Sequence, residues 1–279
     1  MKRRDRRQWD ATGEDSPVHS VADPRSAAFF DIDNTLIHGA SMFHWARGLA
    51  AHDYLTTSQI LDFVWKQTRF IVVGKESAGD MRDVTSEALA LVAGRRQDEL
   101  IDLTRLIFDE YVSDRFWPET VALAQGHMDA GQRVWLVSAA PVELAGLIAE
   151  HLGLTGALGT VSQTVDGFYT GELIGEPLHG QAKADAVQEL AEREDLDLSL
   201  CSAYSDSAND IPLLSLVGSP VAVNPDRALR LHARRNDWTI RDYRTARRVV
   251  KVTAPAVGAA GLLTGIAVGA VAARRAIRG

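Results

Sequence analysis

The 279-residue chain is 46% hydrophobic and 24% charged, a globular balance that excludes wholesale disorder and a multi-span membrane protein. A single cysteine, Cys201, excludes an internal disulfide and a cysteine zinc cluster and fits a reducing compartment. The formal net charge of −7 argues against a nucleic-acid partner, yet it is unevenly spread: residues 1–25 carry six basic and five acidic side chains, 26–226 twelve and thirty, 227–279 twelve and two.

Residues 1–25 are polar, with no periodic apolar face, and read as a disordered basic arm; no apolar run follows the arginines, so they do not read as a signal peptide. Ala27 to Phe30 is an apolar run too short for a helix and ends in Asp31, which predicts a buried strand. From residue 41 the period changes. Met42, Trp45 and Leu49 recur at helical spacing, then Ile60, Phe63, Val64 and Ile71, then Val84, Ala88 and Leu91, then Leu100, Leu103 and Ile107. With Gly74 and Gly94 as punctuation, residues 41–115 read as an all-α insert of about four helices.

Beyond Pro118 helices and strands alternate. Residues 119–130 predict a helix closed by Gly131, 134–137 a strand ending at Ser138, and 141–151 a helix. Asp166-Gly167 lies between β-rich runs, a hairpin signal. Residues 181–194 predict a helix, 198–204 a strand, 210–216 a helix and 220–223 a strand, with a last helix and strand after residue 227. This pattern is that of an α/β protein, a Rossmann-like doubly wound parallel sheet with helices on both faces. The core is thus expected over residues 26–40 and 116–245, interrupted by a helical cap over 41–115.

Ligands of such sheets bind beyond the carboxyl ends of the strands. Three expected strands end there in polar residues, which brings Asp31, Asp33, Ser138, Asp206 and Asp210 to one edge. Several carboxylates cannot share a few ångströms as bare anions, and a hard cation such as Mg²⁺ resolves the repulsion. Asp31 and Asp33 stand two apart on an extended segment and face the same way, so one can attack while the other moves protons. Asn34-Thr35 supplies turn and cap chemistry; Ser138, with the amides of Ala139 and Ala140, can meet phosphate oxygens, and Lys183 can bring a point charge to them.

The order of these residues resembles the haloacid dehalogenase superfamily of phosphatases. Phe29-Phe30-Asp31-Ile32-Asp33-Asn34-Thr35 is similar to its first motif, Leu136-Val137-Ser138 to its second, Lys183 to its third, and Ser205-Asp206-Ser207-Ala208-Asn209-Asp210 to its fourth. The helical insert, and the hairpin near Asp166-Gly167, resemble the branch that contains phosphoserine phosphatase. That resemblance implies Asp31 as the nucleophile of an aspartyl-phosphate and Asp33 as general acid/base. It implies Mg²⁺ on Asp31, the Asp33 carbonyl and Asp206, supported by Asp210, with Thr35, Ser138, Ala139, Lys183 and Asn209 binding the phosphoryl group or orienting the site. Phosphoserine phosphatases typically show Ser-Gly-Gly and Gly-Asp-Gly where this chain has Ser138-Ala139-Ala140 and Ser205-Asp206-Ser207.

Residues 252–273 carry no charge and are flanked by Arg247, Arg248, Lys251 and by Arg274, Arg275, Arg278. The length suits a transmembrane helix, and Gly261, Gly265 and Gly269 fall at the spacing of packed membrane helices. Abundant alanine and glycine weaken insertion, so a helix packed on the body or on another copy, as in a homo-oligomer, stays open beside the anchor. An anchor would place a cytoplasmic catalytic body at the inner face of the cell membrane, near lipid phosphates. The rivals to a Mg²⁺-dependent phosphomonoesterase are phosphoryl transfer to an acceptor other than water, phosphoserine phosphatase proper, and a tethered interaction protein on a retired phosphatase fold.

Overall fold

The computed structural model describes residues 22–54, 89 and 92–244. The expected arm over 1–25 (apart from its last four residues), the apolar repeats at 60–88 and the uncharged stretch 252–273 lie outside the described residues. No helix among the described residues is long and apolar enough to cross a membrane.

The first strand, β1 (Ala27–Phe30), is buried on both faces. Its side chains alternate between two cores, as a period of two requires. Ala28 and Phe30 join one cluster, Ala27 and Phe29 the other. The chain then leaves the sheet for the insert, whose described helices are α1 (Ser41–Ala51) and α2 (Gln97–Ile107). A π-helical turn (Phe108–Val112) and a 3₁₀ turn (Ser113–Arg115) lead back to the sheet. Outgoing and returning linkers pair where they cross: His38 N–H donates to Arg115 O at 2.8 Å and Trp117 N–H to Leu36 O at 2.8 Å.

Pro118 opens α3 (Pro118–Asp129) at a helix-start position, where its missing N–H costs nothing. Then follow β2 (Arg133–Pro141), α4 (Val142–His151), β3 (Gly156–Thr160) and the hairpin β4 (Ser162–Val165) and β5 (Phe168–Leu173). Asp166 and Gly167 both have positive φ, 51° and 81°, the two-residue turn expected of an Asp-Gly hairpin. The second half runs α5 (Gln181–Arg193), β6 (Ser202–Ser205), α6 (Ile211–Leu216), β7 (Ser219–Val223), α7 (Arg227–Arg235) and β8 (Thr239–Arg241).

Among the described residues the main sheet has six parallel strands in the order β3-β2-β1-β6-β7-β8. One core contains Leu136, Leu144, Ile148 and the insert residues Trp45, Leu49, Leu100, Ile107 and Phe108. The other contains Val187, Leu190, Leu213, Leu214 and Leu229 from α5, α6 and α7. The doubly wound parallel sheet is therefore as expected, and the insert shares the hydrophobic core of one of its faces. β2 runs past its expected end to Pro141, and a second expected element differs. Residues 198–200 form a 3₁₀ turn, with the strand starting at Ser202, because the Asp197 carboxylate accepts Ser199 N–H at 3.0 Å and turns the chain locally.

Candidate active site

Connections from β1 lead to one side of the sheet through β2 and β3, and to the other through β6, β7 and β8. The crevice between β1 and β6 is thus a topological switch point, the usual ligand site of such sheets. Asp31 follows β1 and is pinned to β6 by its N–H, which donates to Tyr204 O at 2.9 Å. Behind that contact Tyr204 stacks on Phe30 with ring centroids 4.1 Å apart.

Lys183, in the first turn of α5, reaches into this crevice. Its Nζ donates to Asp31 Oδ1 at 2.7 Å and to Asp210 Oδ2 at 2.8 Å. All three side chains are buried; Lys183 is 4% exposed. Ser205 Oγ donates to the same Asp210 oxygen at 2.7 Å. Asp210 thus serves as the anchor that aims Lys183. The second oxygen of Asp31 has no hydrogen bond among the described residues.

Asp33 is held at Oδ1 by the Ser41 N–H at 2.8 Å, the first residue of α1. Between them Asn34 takes a positive φ of 54° and its carbonyl accepts from Asn224 Nδ2 at 3.3 Å. Ser138, inside β2 toward its carboxyl end, is buried, and its Oγ accepts from Ala140 N–H at 3.1 Å. This corrects one expectation: the Ala140 amide caps the serine and is not free for a phosphate oxygen, whereas the Ser138 hydroxyl proton and the exposed Ala139 remain available. Asp206 and Asn209 are half-buried in the loop after β6. Asp226 shapes that loop, accepting Ala208 N–H at 2.8 Å, while its own N–H donates to Asp206 O at 2.8 Å. Thr35 is fully enclosed, and its hydroxyl finds no partner among the described residues, so it sits within the wall of the site and not on its surface.

The sequence reading missed Ser41, Asn224 and Asp226. Only Asn224-Pro225-Asp226 carried a local signal, a turn-forming run directly after a strand.

The electrostatics follow from packing acids together. Burial pushes the Asp31 carboxyl up to about 7, with Asp210 and Asp33 adding repulsion and Lys183 opposing. Burial pushes Asp206 up to about 8, reinforced by Asp31, Asp210 and Asp33. Asp33 is also raised by burial, against the stabilising hydrogen bonds from Ser41. Lys183, which burial alone would lower, is raised above its ordinary value by Asp31 and Asp210. One ammonium therefore does not neutralise the cluster, and the donor set fits a hard, oxygen-binding cation. No group of three acidic, histidine or cysteine side chains among the described residues forms a ready metal cage. Mg²⁺ does not require one, since it keeps several waters and uses one or two carboxylates.

A carboxyl whose folded pKa is raised binds its proton more tightly in the folded chain than in the unfolded one. Its cost to stability grows as pH rises from its ordinary 3.8 toward 7 or 8. The metal-free protein is therefore expected to melt at progressively lower temperature between about pH 4 and pH 8, as far as Asp31 and Asp206 set the trend. Added Mg²⁺ should raise the midpoint more at pH 8 than at pH 6. Thermal melts with and without Mg²⁺ across this range check both statements, and an equal Mg²⁺ effect at the two pH values would contradict them.

A family model described as haloacid dehalogenase-like hydrolase matches residues 28–215. Phosphoserine phosphatase SerB1 of Mycobacterium tuberculosis H37Rv is 48% identical over 282 residues, covering 96% of this chain and 91% of that one. Histidinol-phosphatase of Neisseria meningitidis serogroup C is 30% identical over 227 residues, covering 79% of this chain and 100% of that one. Among solved structures, a protein of unknown function from Bordetella pertussis Tohama I is similar with a TM-score of 0.70 and 28% identity, over 79% of this chain and 99% of that chain.

Proposed function

This chain belongs to the haloacid dehalogenase-like hydrolase family and is a phosphatase, and on that premise we propose that it is a Mg²⁺-dependent phosphomonoesterase working through an aspartyl-phosphate on Asp31. The observation that carries this reading is the Lys183 ammonium bridging Asp31 and Asp210 at the switch point, with Asp33 two residues beyond.

Lys183 occupies one oxygen of Asp31 and leaves the other to attack phosphorus. As the Oδ–P bond forms, the P–O ester bond breaks and the departing oxygen takes a proton from Asp33. Burial raises the Asp33 pKa and so favours the protonated form that this step needs. Ser41 N–H occupies only Oδ1, which leaves the other oxygen to carry the proton. A water then loses a proton to Asp33 and attacks phosphorus, releasing inorganic phosphate and regenerating Asp31. Ser138 donates its hydroxyl to a phosphoryl oxygen, and Lys183 lends positive charge where negative charge develops. The Asp31 and Asp206 carboxylates and the Asp33 carbonyl would hold Mg²⁺, which would supply the further positive charge that a phosphate dianion needs in an acidic crevice.

Two relatives are named for phosphoserine and for histidinol phosphate. Both compounds carry an ammonium two carbons from the ester oxygen, so a 2-aminoalkyl phosphate is the substrate class that best suits this chain. The uncharged stretch 252–273 between basic flanks supports a second reading, in which a membrane-tethered body meets a lipid phosphate.

Phosphate release from purified full-length protein tests both. Turnover is expected with Mg²⁺, lost on chelation and restored by adding Mg²⁺ back. Phosphoserine and histidinol phosphate should exceed analogues lacking the ammonium by about tenfold or more in kcat/KM, since a site that pairs a polar group rejects analogues without it. Faster turnover of lipid phosphates would favour the second reading, and no release from any monoester would refute phosphatase chemistry.

A further inference from the structure

The hairpin β4-β5 extends beyond the main sheet, and the mechanism above does not use it. It lies against the returning half of the insert. Gly94 N–H donates to Tyr169 O at 2.8 Å, Tyr169 N–H to Arg95 O at 3.0 Å, and Gln97 N–H to Gly167 O at 2.9 Å. Arg96 bridges antiparallel to Phe168, and its guanidinium lies over the Phe168 ring at 5.8 Å. Residues 94–97 thus pair along β5 as an added strand would. Gly171 adopts a φ of +88° opposite Ala93, where an added Cβ would lie 3.1 Å from the alanine Cβ.

Tyr169 continues the connection inward. It is 3% exposed and packs in one cluster with Val92, Leu100, Leu144 and Ala145. Its hydroxyl donates to Glu143 Oε1 at 3.0 Å. Glu143 lies in the first turn of α4, the helix that β2 enters directly after Ser138-Ala139-Ala140. Burial and the Glu143 charge raise the Tyr169 pKa, so the hydroxyl remains a donor throughout the physiological range.

We propose that Tyr169 is a positioning residue that clasps the insert to the phosphate-binding segment: its backbone holds residues 94–95 and its hydroxyl holds the helix that follows Ser138-Ala139-Ala140. The inference rests on the phosphatase reading and deepens it, because the clasp fixes the insert's returning segment relative to the helix after Ser138-Ala139-Ala140. The insert's returning segment and the hairpin then move as one unit, and the Tyr169–Glu143 bond joins that unit to that helix.

Full-length Tyr169→Phe, Glu143→Ala, Glu143→Gln and the double variant Tyr169→Phe/Glu143→Ala test it by steady-state kinetics on the substrate that the phosphate-release screen identifies. Tyr169→Phe and Glu143→Ala should each raise KM about tenfold with much smaller effects on kcat, the scale of a lost bond to a charged group. The double variant should be no worse than either, since both remove one bond, and Glu143→Gln should recover most of the loss. Unchanged KM in both single variants, or additive losses in the double, would overturn the proposal. Amide hydrogen exchange supplies a readout that needs no turnover: Gly94, Gln97 and Tyr169 should exchange slowly in the unmodified chain. Fast exchange at these amides overturns the clasp whatever the activity. Slow exchange in a chain that hydrolyses no monoester supports the clasp and counts against the phosphatase reading instead.

Discussion

Asp31→Asn is expected to lower turnover of any phosphate monoester by about four orders of magnitude or more, the scale on which a lost nucleophile is felt, while leaving the fold at least as stable. The two halves of this expectation have separate causes. An amide oxygen can still accept from Lys183 Nζ, which the Asp31 carboxylate does at 2.7 Å, so the local geometry persists. The amide is not a competent nucleophile, so no covalent phosphoenzyme forms. Stability should hold or rise because the carboxyl at this position is raised to about 7 by burial and by its acidic neighbours. Removing its charge relieves repulsion with Asp33, Asp206 and Asp210. Phosphate release and a thermal melt at pH 8 check the two halves together. A variant that melts at the wild-type temperature or above and releases no phosphate fits a catalytic Asp31. Retained turnover would move the nucleophile elsewhere.

How much of this was legible in the sequence depends on the range over which each feature is decided. β1 was legible to the residue, because four apolar positions buried on both faces and closed by an acid leave little ambiguity. Asp31 and Asp206 stand directly after β1 and β6, as the apolar runs indicated, whereas Ser138 lies inside β2 and not at its end. The Asp166-Gly167 hairpin followed from the demand for two positive φ values. The apolar run at 198–204 misled, because a single Asp197 carboxylate bonding Ser199 N–H bends its first half into a 3₁₀ turn. β2 extends further than its apolar pattern suggested, since pairing resumes at Pro141 with Thr160 after an irregularity. The motif order brings Lys183 and Asp31 to one site, but the individual hydrogen bonds between other distant segments were not legible. Asn224 reaches the Asn34 carbonyl across 190 positions of sequence. Residues 94–97, which bind the hairpin, show no alternation that would mark them as a strand partner. Residue types and strand ends identify the chemistry here, whereas the network that aims those residues is set by packing.

Lys183→Met should carry the largest stability cost of any site substitution, and it tests the ion network directly. Lys183 is buried and bonds two carboxylates that are themselves buried. Methionine keeps the stem and removes the charge, leaving Asp31 and Asp210 without their cation. Breaking a buried ion pair from one side costs about 3–5 kcal/mol, which for a chain of this size lowers the melting temperature by on the order of 10 °C. The Asp31 carboxyl, raised to about 7 by burial, can escape part of that cost by taking up a proton, so the loss should be smaller at pH 6 than at pH 8. Mg²⁺ should offset part of it by supplying charge to the same oxygens. Adding Asp210→Asn should restore part of the lost stability, because it removes one of the two stranded anions. It should not restore turnover. The charge that the proposed mechanism places against the transferring phosphoryl group is missing in both variants, and losing such a donor costs about 10³-fold in kcat. Melts at the two pH values with phosphate-release rates for the single and double variants separate these effects. Equal destabilisation at pH 6 and pH 8, or a double variant no more stable than Lys183→Met, would show that Asp31 and Asp210 do not depend on this ammonium.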